Sequence, residues 1–261
     1  MFRTRLTLFL ATAALCTTGG AGADQLADIR KAGVLRVGVP QDFAPFGSVG
    51  PDLKLQGYDI DVAGVLAKGL GVKVELVPVS SANRLPYLQT NKIDLIISSL
   101  GKNPDREKVI DFTVAYAPFY SAVFGVKDLS VKTAADLAGK SIGVTRGSIE
   151  DLELSKLAPS GTEIKRYEDN ATTIQAFLSG QTELVATGNT VAATIAARSP
   201  RRKPVRKFII KDSPCYVGLA KNEPALLKKV NSLLLAYRNN GYLDRLSQQW
   251  FGAPLPDTLP R

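Results

Sequence analysis

Short apolar runs alternate with helix-spaced apolar positions from Val34 to about Phe251. Leu35 to Val39 (LRVGV) has the two-residue period of a strand, and Val62, Val65, Leu66 and Leu70 then recur at helical spacing between Asp61 and Leu70. Asp59 and Asp61 stand at the start of that helix, where unpaired N–H groups favour negative charge, and Gly71 marks its stop. Val72 to Val77 is rich in β-branched residues. Ile93-Asp-Leu-Ile-Ile97 is the most apolar run of this part and reads as a central strand. The order βαβαβ implies a twisted, mostly parallel sheet with helices on both faces.

The pattern then begins again. Ser141 to Thr145 reads as a strand, Glu150 to Leu157 as a helix, Glu163 to Tyr167 as a strand, Asn170 to Ser179 as a helix stopped by Gly180, and Leu184 to Thr187 as a strand. Two α/β units in succession predict two lobes. Asn222-Glu-Pro opens a long last helix with Pro224 in its first turn; its Leu226, Leu227, Val230, Leu233, Leu234 and Tyr237 are expected in the core.

The first 23 residues do not fit this alternation. Arg3 and Arg5 precede the apolar run Leu6 to Leu15, and Ala21-Gly22-Ala23 supplies the small-x-small pattern that signal peptidase accepts. Residues 1–23 therefore read as a cleaved secretory signal; the run is too short to span a bilayer. Cys16 follows Ala-Ala-Leu and lacks a lipoprotein pattern, so cleavage leaves Cys215 alone and no intrachain disulfide is expected.

The 261 residues carry 33 Lys and Arg against 24 Asp and Glu; loss of Arg3 and Arg5 leaves 31 against 24, a net charge of +7. Such a field draws small anions toward a cleft. Nucleic acid is not the expected partner, because the only basic cluster, Arg201-Arg202-Lys203, lies between Pro200 and Pro204 and reads as a solvated loop. The chain has no histidine, which removes histidine-based triads and most histidine metal sites. No metal and no cofactor is expected.

One stretch carries candidate chemistry. Residues 98–112 read SSLGKNPDREKVIDF, with Arg106 just past an apolar strand and acids on either side. A guanidinium fork matches two carboxylate oxygens at once. The competing reading is a surface arginine paired with Asp105 or Glu107.

The motifs taken together resemble a known family. Gly57-Tyr-Asp-Ile-Asp-Val-Ala-Gly-Val-Leu-Ala-Lys-Gly-Leu70 fits the signature of bacterial extracellular solute-binding proteins of family 3, the periplasmic polar amino-acid-binding components of ABC transporters. LRVGV precedes it; NRLPYLQTNKIDLIISSL, PDREKVIDF, IGVTRGS and YLDRLSQQWFG follow in the family's order, so the resemblance covers about residues 30–253. It implies an α/β, two-lobed type II periplasmic binding protein fold, each lobe a twisted mixed sheet flanked by helices. Lobe 1 is expected to comprise 24–119 and 216–261 and lobe 2 to comprise 120–215, with hinge crossings near Phe119-Tyr120 and Cys215-Tyr216. A ligand cleft between such lobes agrees with the rule that open α/β sheets bind at strand ends.

By the same resemblance Arg106 forks onto a ligand's α-carboxylate, with Ser98 and Ser99 beside it and Ser148 closing from the second lobe; Ser148 alone also reads as a plain helix cap. Phe43 matches an aromatic wall, or a core phenylalanine. Arg84 matches the residue that meets an acidic side chain, or is a solvent-facing arginine at a helix start, and Arg146 is a third candidate cation. Departures accompany these matches. Gly101 stands where relatives carry a hydroxyl, Pro40 where binders of cationic side chains carry an aspartate, Ser81 where an aromatic lid is common, and Gly188 where an aspartate pairs with the α-ammonium. Asn189, Glu150 or Asp151 is then the expected substitute, unless the ligand is not an ordinary α-amino acid.

The function implied is a monomeric periplasmic protein that captures a small amino acid or carboxylate, acidic or neutral in its side chain, and delivers it to an inner-membrane ABC permease. The competing class is an enzyme on the same scaffold, such as a dehydratase, for which Glu150 or Asp151 is the evident acid or base.

Overall fold

The computed structural model describes residues 24–198 and 201–261. The expected signal at residues 1–23, with Cys16, lies outside the described residues.

In the first lobe the strand Val34–Val39 is central to a parallel trio with Lys73–Pro78 and Leu95–Ile96. Cys215–Ala220 runs antiparallel between Leu95–Ile96 and Ile110–Ala117, and the latter therefore points the same way as the trio. The sheet is mixed, as the family resemblance implies, because one of its strands returns from the other lobe. Within the apolar run 93–97 the strand proper is Leu95–Ile96, flanked by the Asp94 and Ile97 N–H groups, which donate to the Arg36 and Gly38 carbonyls at 2.8 and 2.9 Å. The second lobe repeats the plan. Glu163–Tyr167, Ser141–Thr145 and Leu184–Gly188 run parallel, and Tyr120–Gly125 runs antiparallel to both Leu184–Gly188 and Val205–Asp212.

The chain passes from the first sheet to the second between Ala117 and Tyr120 and returns between Asp212 and Cys215. The Ser213 N–H donates to the Phe119 carbonyl at 3.0 Å, tying the two crossings together. Cys215 pairs with Ala117 and so belongs to the first sheet. A small antiparallel ribbon, Asp42–Phe43, Gly47–Val49 and Leu55–Gln56, overhangs the cleft from the first lobe.

The helix Tyr58–Leu70 starts three residues before the expected Asp61, since its first turn is a core element. Gly57 makes the entry at φ 143°, where a Cβ would collide with the Phe46 carbonyl. Tyr58 then packs in an aromatic cluster with Phe46, Tyr116 and Phe251. The last long helix, Pro224–Asn239, buries Leu226, Val230 and Leu234. Leu227, Leu233 and Tyr237, also expected in the core, lie half-buried against it.

Asp59 links this core to the cleft. Its carboxylate is fully buried, accepting the Tyr116 hydroxyl at 2.7 Å and the Ser99 N–H at 2.8 Å. The second bond holds Ser99 at φ 42°, a left-handed conformation that costs a non-glycine residue about 1 kcal/mol or more. Burial pushes the Asp59 carboxyl up to about 7, against the pull of the Tyr116 and Ser99 hydrogen bonds and the Arg84 charge. With the folded-state value raised, the stabilising contribution is full below about pH 4, where unfolded Asp is also protonated, and is lost as pH rises through about 7. At about 1.4 kcal/mol per pH unit, wild type should lose on the order of 4 kcal/mol between pH 4 and pH 8 relative to Asp59→Asn. Urea melts of both proteins at the two pH values measure this; parallel pH profiles would contradict it.

Candidate functional site

The two lobes meet over a narrow cavity of about 20 Å³, room for about one water. The first lobe lines it with Pro40, Phe43, Val79, Ser81, Arg84, Ser98 and Ser99, the second with Ser148, Ile149, Glu150 and Asn170, and the first crossing with Phe119.

Arg106 sits beneath this seam. Asn103 caps the short helix Pro104–Glu107 by accepting the Arg106 N–H at 2.8 Å, which aims the side chain inward. The flanking acids are engaged elsewhere: Asp105 pairs with Lys108 and Glu107 with Lys102, each at 2.8 Å. The surface-pair alternative for Arg106 is therefore not what is found; the residue is only 4% exposed. Its guanidinium donates to the Gly101 carbonyl at 2.6 Å and, across the cleft, to the Gly147 carbonyl at 3.0 Å. Among the described residues no carboxylate pairs with it. Burial, and then the charge of Arg84, push the group down to about 9, so it stays protonated at neutral pH.

Arg84 opens the helix Arg84–Gln89 and is also buried, not solvent-facing. Nη1 donates to the Ser98 carbonyl, whereas Nε is buried without a partner. Burial lowers its pKa, opposed first by the charge of Glu150. Glu150, 5% exposed, lies in the first turn of the helix Ile149–Leu157, and its Oε1 has no hydrogen-bond partner. Burial pushes its carboxyl up, against its own N–H, the Ser148 hydroxyl and the charges of Arg84 and Arg106.

Other candidates from the sequence separate into two groups. Phe43, Ser98, Ser99 and Ser148 line the cavity. Three of them are already partly engaged: the Ser98 carbonyl accepts from Arg84, the Ser99 N–H donates to Asp59, and the Ser148 hydroxyl caps its helix by accepting the Asp151 N–H at 3.1 Å. Gly101 bridges to Cys215 outside the lining; the Ser213 hydroxyl fills the place where a side chain at Gly101 would stand. Arg146 does not join the cavity. It is exposed and pairs with Glu168 at 2.8 Å, because the strand end turns it to the outer face. Asn189 also stands apart, its Oδ1 accepting the Tyr120 N–H at 3.1 Å beside the crossing. At Gly188 the Phe119 ring occupies the space any side chain would need. Asp151 is committed to the Gly147 N–H at 3.0 Å and to Arg166 at 2.8 Å. Of the three carboxylate or amide substitutes expected for an acid at Gly188, only Glu150 faces the cavity.

Sequence reasoning missed the contact that ties the lobes. Asp42 Oδ2 accepts the N–H groups of Asn170 and Ala171 at 2.7 and 3.1 Å, and Oδ1 accepts from Asn170 Nδ2 at 3.0 Å. A first-lobe carboxylate thus sits on the N-terminus of the second-lobe helix Asn170–Leu178, where free N–H groups and the helix dipole both favour an anion. The residues are 128 positions apart and no local pattern links them. Gly147 supports the same approach: at φ 72°, a Cβ there would come within 3.2 Å of Ala82 Cα on the opposite lobe.

Comparison with known proteins agrees with this architecture. The model of "Bacterial extracellular solute-binding proteins, family 3" matches residues 35–253. The L-cystine-binding protein TcyJ of Escherichia coli (strain K12) is 29% identical over 232 residues, 86% of this chain and 85% of that protein. An ancestral arginine-binding protein bound to arginine superposes with a TM-score of 0.80 at 34% identity, covering 84% of this chain and 99% of that one. The ancestral amino acid-binding protein AncCDT-1, a precursor of cyclohexadienyl dehydratase, superposes with a TM-score of 0.80 at 32% identity, covering 87% and 99%. The type II periplasmic binding protein fold is shared with these structures.

Charge-assisted bonds of the Asp42 kind contribute about 1.5–3 kcal/mol each. Asp42→Ala should therefore shift the lobes toward a more open arrangement, read as a larger radius of gyration in small-angle scattering. An unchanged radius at matched concentration would show that the latch carries no weight.

Proposed function

The chain belongs to the bacterial extracellular solute-binding proteins of family 3, and from that premise we propose that it captures a small amino acid or carboxylate, acidic or neutral in its side chain, in the periplasm and delivers it to an inner-membrane ABC permease. The observation that carries the ligand class is the pair of buried guanidiniums, Arg84 and Arg106, that meet carbonyls and no carboxylate among the described residues. A buried cation is costly without a counter-charge, and a ligand carboxylate supplies one. Arg106 takes the α-carboxylate, with the hydroxyls of Ser98, Ser99 and Ser148 around it. Arg84 faces the side chain, and Phe43 walls the cavity. The parts 24–119 with 215–261 and 120–214 act as the moving lobes, Cys215 going with the first because it pairs there with Ala117, and the two crossings act as the hinge.

Similarity to an arginine-binding protein does not carry arginine over to this chain. A ligand guanidinium would be a third cation beside Arg84 and Arg106, and Pro40 offers it no carboxylate. Like charges at about 4 Å repel by about 4 kcal/mol at an effective dielectric of 20. The enzyme reading draws on Glu150, an acid in the cleft. The bonds that Arg106 and Asp42 make across the cavity favour capture by closure, and mass spectrometry of the ligand after long incubation should recover it unchanged.

Three outcomes follow for calorimetry and thermal shift on the mature chain. Lysine and arginine should leave the melting temperature unmoved, whereas an acidic or neutral amino acid or carboxylate raises it by mass action. Arg106→Ala should weaken the ligand so identified at least about a hundredfold, from the loss of a buried ion partner worth about 3–5 kcal/mol; a change below threefold would contradict its role. Arg84→Ala should weaken glutamate more than glutamine, and an equal loss for both would remove Arg84 from the side-chain pocket.

A further inference from the structure

The cavity holds one acid that closes no ion pair among the described residues. Glu150 is more than nine-tenths buried, lines the cavity, and leaves Oε1 without a partner. The other acids near the cleft are committed. Asp59 accepts from Tyr116 and Ser99, Asp42 from the Asn170 helix terminus, and Asp151 from Gly147 and Arg166. Neither Arg84 nor Arg106 closes an ion pair with Glu150; their bonds go to the carbonyls of Ser98, Gly101 and Gly147. The Arg84 Nε is likewise buried and unpartnered. The cavity is therefore lined by one guanidinium and one carboxylate, each with a polar atom unused, and a second guanidinium, Arg106, lies beneath them bonded to carbonyls alone.

We infer that Glu150 binds the ligand's ammonium group, and that Arg84, Arg106 and Glu150 together select an α-amino dicarboxylate. This rests on the proposed function and narrows it. Two carboxylates and one ammonium answer two guanidiniums and one carboxylate charge for charge. A neutral amino acid leaves Arg84 without an anion, and a dicarboxylate lacking the amine leaves Glu150 buried beside further negative charge. The phenyl ring of Phe119 closes off the Gly188 side of the cavity, so the ammonium has no competing acid there.

The test uses L-glutamate and glutarate, which differ by the amine, with L-glutamine as the neutral reference, in calorimetric titrations of the mature chain. Wild type should bind L-glutamate at least about thirtyfold more tightly than glutarate, the loss expected when a buried, hydrogen-bonded charge is left unpaired. Glu150→Gln should erase most of that difference by weakening L-glutamate while leaving glutarate unchanged or tighter. Equal affinities for L-glutamate and glutarate in wild type would overturn the inference without any variant, which covers the case of a poorly folded one. A Glu150→Gln protein that keeps the wild-type preference for L-glutamate, or that weakens both probes equally, would also overturn it. Binding of L-glutamine but not of L-glutamate would sink this inference and leave the proposed function standing. Absence of binding to every amino acid and carboxylate tried would sink both.

Discussion

Two guanidiniums buried at a seam between lobes set the terms for the rest of the molecule. Desolvating a cation costs several kcal/mol unless hydrogen bonds and counter-charge compensate, and the protein supplies the first part from its own backbone. The carbonyls of Ser98, Gly101 and Gly147 receive the N–H groups of Arg84 and Arg106, while the nearby lysines absorb the acids that would otherwise neutralise Arg106. The arrangement leaves Arg84 at the cavity and Arg106 beneath it with no ion-pair partner among the described residues. That is a physical basis for drawing in an anion, and it makes closure and binding two aspects of one event, because the Gly147 carbonyl comes from the opposite lobe.

Backbone placement makes this possible. Asp59, locked in the first-lobe core, fixes the strand end at Ser99; Asn103 fixes the start of the Arg106 helix; and Asp42 seats the ribbon of the first lobe on a helix terminus of the second. Each device is a carboxylate or amide oxygen accepting otherwise unpaired backbone N–H groups, the cheapest use of a polar side chain in a partly dry setting.

Much of this was legible in the sequence. Hydrophobic periodicity located the strands Val34–Val39, Ser141–Thr145 and Glu163–Tyr167 within a residue, since apolar alternation is a local signal. The spacing around Arg106 and the GYDID segment identified the family and drew attention to Arg84, Ser98 and Ser148, all of them buried at the seam. What failed was information that only the tertiary fold holds. Arg146 looked equivalent to the other arginines until the strand end turned it outward to Glu168. Gly188 gave no hint that a phenylalanine from the hinge fills its side-chain space, and nothing local joins Asp42 to Asn170. The mixed sheet came from the family resemblance and not from periodicity, since a strand arriving from the other lobe carries no local mark of its partner.

The central claim is that the buried guanidiniums hold ligand carboxylates, and a crystal structure of the mature chain grown with L-glutamate tests it most directly. The account predicts density for one carboxylate within hydrogen-bond distance of Arg106 and the second within that distance of Arg84, in a cavity wider than the about 20 Å³ of this closed arrangement. Density that places the ligand's carboxylates away from both guanidiniums, with Arg106 still bonded only to carbonyls, would contradict it.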